Sequence, residues 1–347
     1  MNIGYILLAI LVFGLLIFIH ELGHFLTAKW AGIRVHEFAL GMGPTLLRFG
    51  KGETTYALRL FPIGGFVAME GENEDSSDDR AFCNKPLYKR IIVTAAGATM
   101  NIVLGFVLLV FLSSQLSLLG TTTVAKFADD AVSSQQLQVG DEILRVNGHR
   151  VRSDNDLVYE FMREKDGLME MVVQRDGIDE PITLQVPFRM DPTEEDSEVD
   201  FIYMDFKVLG VEPTAGGVVK NAFNWTGSIV KQVWGSLVDL LTGRYGFNQL
   251  SGPVGVTEAI GQAASSSGGY KSVLLLVCFI TINLGVFNLL PVPALDGGRL
   301  FFMLVELIRR KPINPKYEGY VHAAGFALLM LLMVSVTFSD IWKLVTK

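Results

Sequence analysis

The chain has 347 residues, half of them hydrophobic and 19% charged, with a formal net charge of -7, 35 glycines and 23 phenylalanines. That composition is too apolar for an ordinary soluble enzyme, and the length exceeds one compact domain. An acidic balance also gives no reason to expect a nucleic-acid partner. Four apolar stretches, residues 3–19 continuing to 30, 91–112, 273–290 and 321–338, approach the twenty or so residues that a spanning helix needs. The first has no basic leading region and no small-x-small cleavage site, so it reads as an anchor rather than a signal peptide.

Charge placement gives an expected orientation. Lys29, Arg34, Arg48, Lys51, Arg59, Lys85, Lys89 and Arg90 crowd between the first two stretches, and Arg309, Arg310, Lys311 and Lys316 lie between the last two. By the positive-inside rule both loops face the cytoplasm, which puts the termini and the long segment 113–271 outside. Cys83 and Cys278 fall in a loop and a span, so neither a disulfide framework nor a cysteine metal site is expected.

In chain order, the first transmembrane helix is expected over 1–32, ending in "IHELGHFLTAKW". A cytoplasmic-side β-hairpin and loop follow over 33–88, where Tyr56, Leu58 and Leu60 alternate, Pro62–Gly65 turns, and Phe66 to Met69 returns. The second transmembrane helix covers 89–112. Within 113–211, "LQVGDEILRVNGHRV" combines an apolar strand with an Asn147–Gly148 hairpin turn. That order, closed by "DFKVLGV", resembles a PDZ domain. An amphipathic helix and linker occupy 212–270, with Val230, Val233, Trp234, Leu237 and Leu241 on one side. The third transmembrane helix is expected over 271–300, a cytoplasmic loop over 301–319 and the fourth helix over 320–347. The expected fold is therefore a polytopic α-helical membrane protein with four transmembrane helices. It adds a membrane-associated β-hairpin or sheet on the cytoplasmic side and one extracytoplasmic PDZ-like β-rich domain.

His20-Glu21-Leu22-Gly23-His24 is the H-E-x-x-H pattern. Helical positions four apart share a face, so both imidazoles can grip one cation beside Glu21. Zinc suits imidazole nitrogen and carboxylate oxygen in a tetrahedron, and a carboxylate next to an activated water can act as general base. Catalytic zinc keeps three protein ligands, and the best candidate for the third is Asp296 in "NLGVFNLLPVPALDGGRL", where it ends the third span. His20 lies on the order of 25 Å into its span at 1.5 Å per residue. Asn288 lies at a similar depth in a helix running the same way. Pro291 and Pro293 must interrupt that helix, and irregular backbone at such depth is tolerated where it lines a cavity. His36, His149 and His322 lack ligand spacing and are read as non-ligands.

On these motifs the sequence resembles the site-2-protease intramembrane metalloproteases, in the bacterial RseP-like branch, with room for a single PDZ domain. "HELGH" and "NLLPVPALDGG" match its two motifs, and "EFALGMGP", "FPIGGFVAMEGE", "NKPLYKR" and "SGPVGV" match flanking blocks in order. The family's A-G-P-x-x-N stands here as Ala96-Gly97-Ala98-Thr99-Met100-Asn101, with alanine where the family has proline. The resemblance implies an intramembrane zinc metalloprotease of the bacterial inner membrane, its active site toward the cytoplasm. His20, His24 and Asp296 would hold Zn2+, Glu21 would be the base, and Asn288 would hold substrate or the oxyanion. The expected substrate is a single-span membrane protein already cleaved on its outer side. For the hairpin itself two readings stand: the edge formed by Phe66, Val67, Ala68 and Met69 pairs with the unwound substrate strand, or the hairpin merely packs under the site. The PDZ-like domain would bind a substrate C-terminus or act as a size filter. Two rival readings are a non-catalytic PDZ membrane scaffold and an ion-binding transporter.

Overall fold

The computed structural model of the chain describes residues 3–72, 74–191, 201–243, 251–311, 313 and 315–346. In chain order the elements begin with α1 (Ile3–Ala31), β1 (Val35–Phe49), β2 (Thr55–Met69), α2 (Leu87–Ser114) and β3 (Leu119–Phe127). Next come β4 (Glu142–Val146), β5 (His149–Arg150), α3 (Asp154–Arg163), β6 (Leu168–Gln174), β7 (Ile182–Pro187), β8 (Met190–Asp191), β9 (Phe201–Ile202) and β10 (Phe206–Val211). Five helices close the chain: α4 (Ala215–Leu241), α5 (Pro253–Ser265), α6 (Tyr270–Asn288), α7 (Asp296–Arg309) and α8 (Pro315–Thr346). These elements divide into two units, Met1–Leu108 with Val233–Lys347, and Leu109–Gln232.

The first unit is mainly helical and also holds the β1–β2 sheet. Four of its segments, Ile3–Ala31, Leu87–Ser114, Tyr270–Asn288 and Lys316–Lys343, are long and apolar enough to cross a membrane. A helix satisfies its own backbone polar groups, which is what such runs require in lipid. Ile3, Leu7 and Leu11 on α1 and Leu328, Leu331 and Val334 on α8 are exposed, as lipid-facing side chains would be. Inside the unit the helices meet through glycines. A Cβ at Gly23 would lie 2.5 Å from the Ala96 carbonyl oxygen, and one at Gly285 would lie 2.7 Å from that of Ala98. One at Gly105 would overlap the Ile282 side chain. Small residues at such crossings let backbones approach closely, and dispersion contacts follow. α2 runs without a break through Ala98, where the related motif has proline.

Two helices appear where the sequence reads as connection. α5 forms from the stretch expected to be linker. Ile260 packs with Ala9, Val12 and Leu16 of α1 and Val277 of α6, and Tyr5 donates to or accepts from Ser265 at 2.6 Å. Gly252, at its N-cap, has no side chain, so Asp340 of α8 accepts from the Gly252 and Gly255 N–H groups, each at 2.9 Å. α7 takes up residues 301–309 of the expected cytoplasmic loop, and Asp296 begins it rather than ending the third span. The reason is local. Pro291 and Pro293 cannot continue α6, Ala294 takes φ +77°, and the helix restarts one residue after Leu295.

The small sheet also departs from a hairpin within 56–69. β2 is one strand that bends at Gly64, φ +76°, and its partner is β1. Residues Glu37–Leu40 of β1 pair with Gly65–Ala68 and also with Thr55–Leu58. The Gly65–Met69 segment is thereby left at an edge, with no further strand pairing among the described residues.

The second unit carries a six-stranded sheet in the order β10-β3-β4-β6-β7, with β5 paired to β4. Its core gathers Ile143, Val146, Leu157, Met169, Met171, Val173 and Phe206. Asn147 and Gly148, φ +47° and +78°, make the β4–β5 turn. Asp141 is fully buried and is held by Arg175, whose Nε and Nη2 each donate at 2.7 Å. Residues 192–200 of the expected PDZ-like span lie outside the described residues. The α2–α6 contact yields a test. Gly285→Leu is expected to cost about 1–3 kcal/mol through overpacking, read as a lower unfolding midpoint in detergent.

Candidate metal centre

α1 is a continuous helix with its first interior charge at Glu21, and the four-residue spacing puts His20 and His24 on one face. Their Nε2 atoms lie 3.2 Å apart. Asp296 enters from the start of α7, with Oδ2 3.2 Å from His20 Nε2 and 3.3 Å from His24 Nε2. Ligand bonds of about 2.0–2.2 Å in a tetrahedron give edges of roughly 3.3–3.5 Å, so this nearly equilateral triangle has the size of one zinc face. Asp296 Oδ2 is buried without a hydrogen-bond partner. A buried carboxylate oxygen facing two imidazole nitrogens and hydrogen-bonded to neither is what a cation would complete. The donor set therefore fits zinc.

α2 supplies the wall behind the rings. A Cβ at Gly97 would fall on the Nε2 atoms of both histidines. His24 Nδ1 donates to the Val93 carbonyl at 2.8 Å, which leaves Nε2 as the lone-pair nitrogen.

In front lies a cavity of about 640 Å³ lined by His20, Glu21, His24 and Asp296. Phe66, Val67, Ala68 and Met69 line it too, so the sheet edge faces the histidines. Gly65 makes this possible: a Cβ there would meet Glu21 Cγ at 2.9 Å and the Ala39 carbonyl oxygen at 3.0 Å. Asn288 is half-buried at the end of α6 and is not among the residues lining this cavity.

Three further ionisable residues line it: Glu72 and Arg299, which sequence reasoning did not single out, and His322, read there only as a non-ligand. Arg299 stands one helical turn beyond Asp296 and pairs with Glu72. The spacing from Asp296 could have marked it. His322 accepts from the Ala294 N–H at Nδ1, 3.0 Å, and so holds the loop ahead of Asp296 from α8. No local pattern points to that contact. The same three residues also line a second cavity of about 1000 Å³.

Comparison with known proteins agrees with this chemistry. The model of peptidase family M50 matches residues 8–332. A Clostridium perfringens relative carrying a zinc metalloprotease name is 37% identical, over 97% of this chain and 98% of its own. The regulator of sigma-W protease RasP of Bacillus subtilis is 32% identical, over 99% of this chain and all of its own. The zinc metalloprotease RasP of Bacillus licheniformis is also 32% identical, over 96% and 98%.

Gly97→Ala tests the wall. It should remove most bound divalent metal while leaving helical content intact, as checked by metal analysis and circular dichroism of the same sample.

Proposed function

Because the chain belongs to peptidase family M50 and is a zinc-dependent intramembrane protease, we propose that His20, His24 and Asp296 hold the zinc and that Glu21 is the general base. The carrying observation is the triangle of two Nε2 atoms and one Oδ2, with edges of 3.2–3.3 Å. Zinc held by this set supplies Lewis acidity and activates water near neutral pH. Glu21, next to His20 and lining the same cavity, takes a proton from the attacking water at a carboxylate oxygen. As the water oxygen bonds to the carbonyl carbon, Glu21 passes that proton to the departing amide nitrogen, so that the C–N bond breaks to leave a carboxylic acid and an amine.

A helical amide in lipid is shielded by its own hydrogen bond, so the substrate must be extended before it can be cut. The Phe66–Met69 edge is proposed to receive that extended segment by strand addition. Its support is that one side is paired to β1 and that these residues line the cavity holding Glu21.

Orientation follows from charge. The basic loops around residues 29–90 and 309–316 face the cytoplasm, and the chain lies in a bacterial inner membrane with both termini and the β-rich unit outside. That unit is read as PDZ-like, on its sheet, its α3 helix and the Asn147–Gly148 turn. Its proposed role is to bind the new C-terminus of a single-span substrate trimmed on its outer side. The Bacillus subtilis relative's name refers to sigma-W regulation, and a membrane-bound anti-sigma factor belongs to this substrate class.

Detergent-solubilised wild type is expected to cleave a membrane peptide trimmed on its outer side. Glu21→Gln should keep its zinc and lose about 10²–10⁴-fold in rate, whereas His20→Ala should lose the zinc itself. Equal product from wild type and Glu21→Gln would remove the mechanism. Val67→Pro deletes one backbone donor from the sheet edge. It should slow cleavage with zinc content unchanged, and an undiminished rate would remove the strand-addition role.

A further inference from the structure

An imidazole that ligates through Nε2 must carry its proton on Nδ1, and something must hold that proton there. For His24 the acceptor is the Val93 carbonyl. For His20 the neighbour is the side-chain amide of Asn101, whose Nδ2 lies 3.4 Å from His20 Nδ1. With the amide nitrogen toward the ring, Nδ1 would be the acceptor and the ring proton would sit on Nε2, inside the triangle where the cation belongs. Asn101 is fully buried, and its Oδ1 has no hydrogen-bond partner. A half-turn of the amide exchanges its oxygen and nitrogen. Oδ1 then accepts Nδ1–H and gains the donor it otherwise lacks.

We infer that Asn101 is a positioning residue that accepts the His20 Nδ1 proton through its side-chain oxygen and so keeps Nε2 open to the metal. The residue is well placed for this. Val93, Gly97 and Asn101 recur every four residues on α2, so one stripe carries an acceptor for each histidine with a bare position between them. Thr281 of α6 donates to the Asn101 backbone carbonyl at 3.1 Å, which fixes the residue from its other side. Outer partners of this kind set ring orientation and raise ligand basicity, and their loss typically weakens metal binding by about 10–100-fold.

The inference rests on His20 being a zinc ligand, and the experiment separates the two. Zinc affinity is measured by chelator competition on the full chain in detergent, for wild type, His20→Ala, Asn101→Leu and Asn101→Asp. Wild type should bind one zinc and His20→Ala should not; failure there overturns the ligand assignment itself. With that established, Asn101→Leu should bind about 10–100-fold more weakly, and Asn101→Asp, which keeps an oxygen in place, should recover most of the loss. Unfolding midpoints of the metal-free forms control for packing. Unchanged affinity in Asn101→Leu, or an Asn101→Asp as weak as Asn101→Leu, overturns the inference. Should Asn101→Leu fail to fold, zinc-loaded wild type with ¹⁵N-labelled histidine still decides it. His20 should show a protonated Nδ1 and a metal-bound Nε2, and metal at Nδ1 would overturn the inference.

Discussion

Direct contact between helix backbones is the constraint on which the catalytic unit depends. In lipid, apolar side chains gain little by leaving one hydrocarbon for another, so helices associate where small residues let them touch. α2 touches α1 at Gly23 and Ala96, and α6 at Gly285 and Ala98. Gly97, one residue from each contact, is bare for a different reason, since the space its side chain would fill holds the two imidazole nitrogens. The stripe that packs the helices is thus interleaved with the one that receives the donor set. Neighbouring positions in that stretch therefore serve packing and the donor set in alternation.

Asp296 reaches the histidines through a second close fit. The loop between α6 and α7 folds back so tightly that a Cβ at Gly297 would collide with the backbone of Leu289 and Leu290, and one at Gly298 would lie 2.6 Å from the Val292 carbonyl oxygen. α8 closes the loop from outside, with His322 accepting from Ala294 and Gly325 against Pro293. The glycine pair after Asp296 is therefore a requirement of a folded-back chain. The sheet makes the same kind of approach from the opposite side, where Gly65 admits β2 against α1 beside Glu21.

How far this could be read from the chain depends on the range of each signal. The apolar runs and the His20–His24 spacing are local patterns with one dominant physical interpretation, and they carry the four candidate membrane spans among the described residues and two of the three proposed ligands. Asp296 was reachable because two prolines in an apolar helix need a reason. α5 was missed because its cap comes from Asp340, 88 residues away, and its glycines and serines read as linker. The pairing of Glu37–Leu40 with two separate parts of β2 has no sequence signature, since strand alternation names no partner. Asn288 was placed near the site by the family resemblance and by depth, which fixes height along a helix but not the side it faces; it does not line the cavity. Arg299 and His322 act across elements, beyond any single-segment pattern.

The sum of formal charges at the centre bears on where it can exist. In the proposed centre two neutral imidazoles would contribute nothing, while Asp296 and Glu21 would contribute one negative charge each, matching a divalent ion. A cluster of zero net charge avoids most of the solvation penalty that an unbalanced ion meets among hydrocarbon chains. The proposed proton transfer between water and Glu21 would move charge within that cluster without changing its total. That transfer would therefore need no counter-ion drawn into the membrane interior to compensate it.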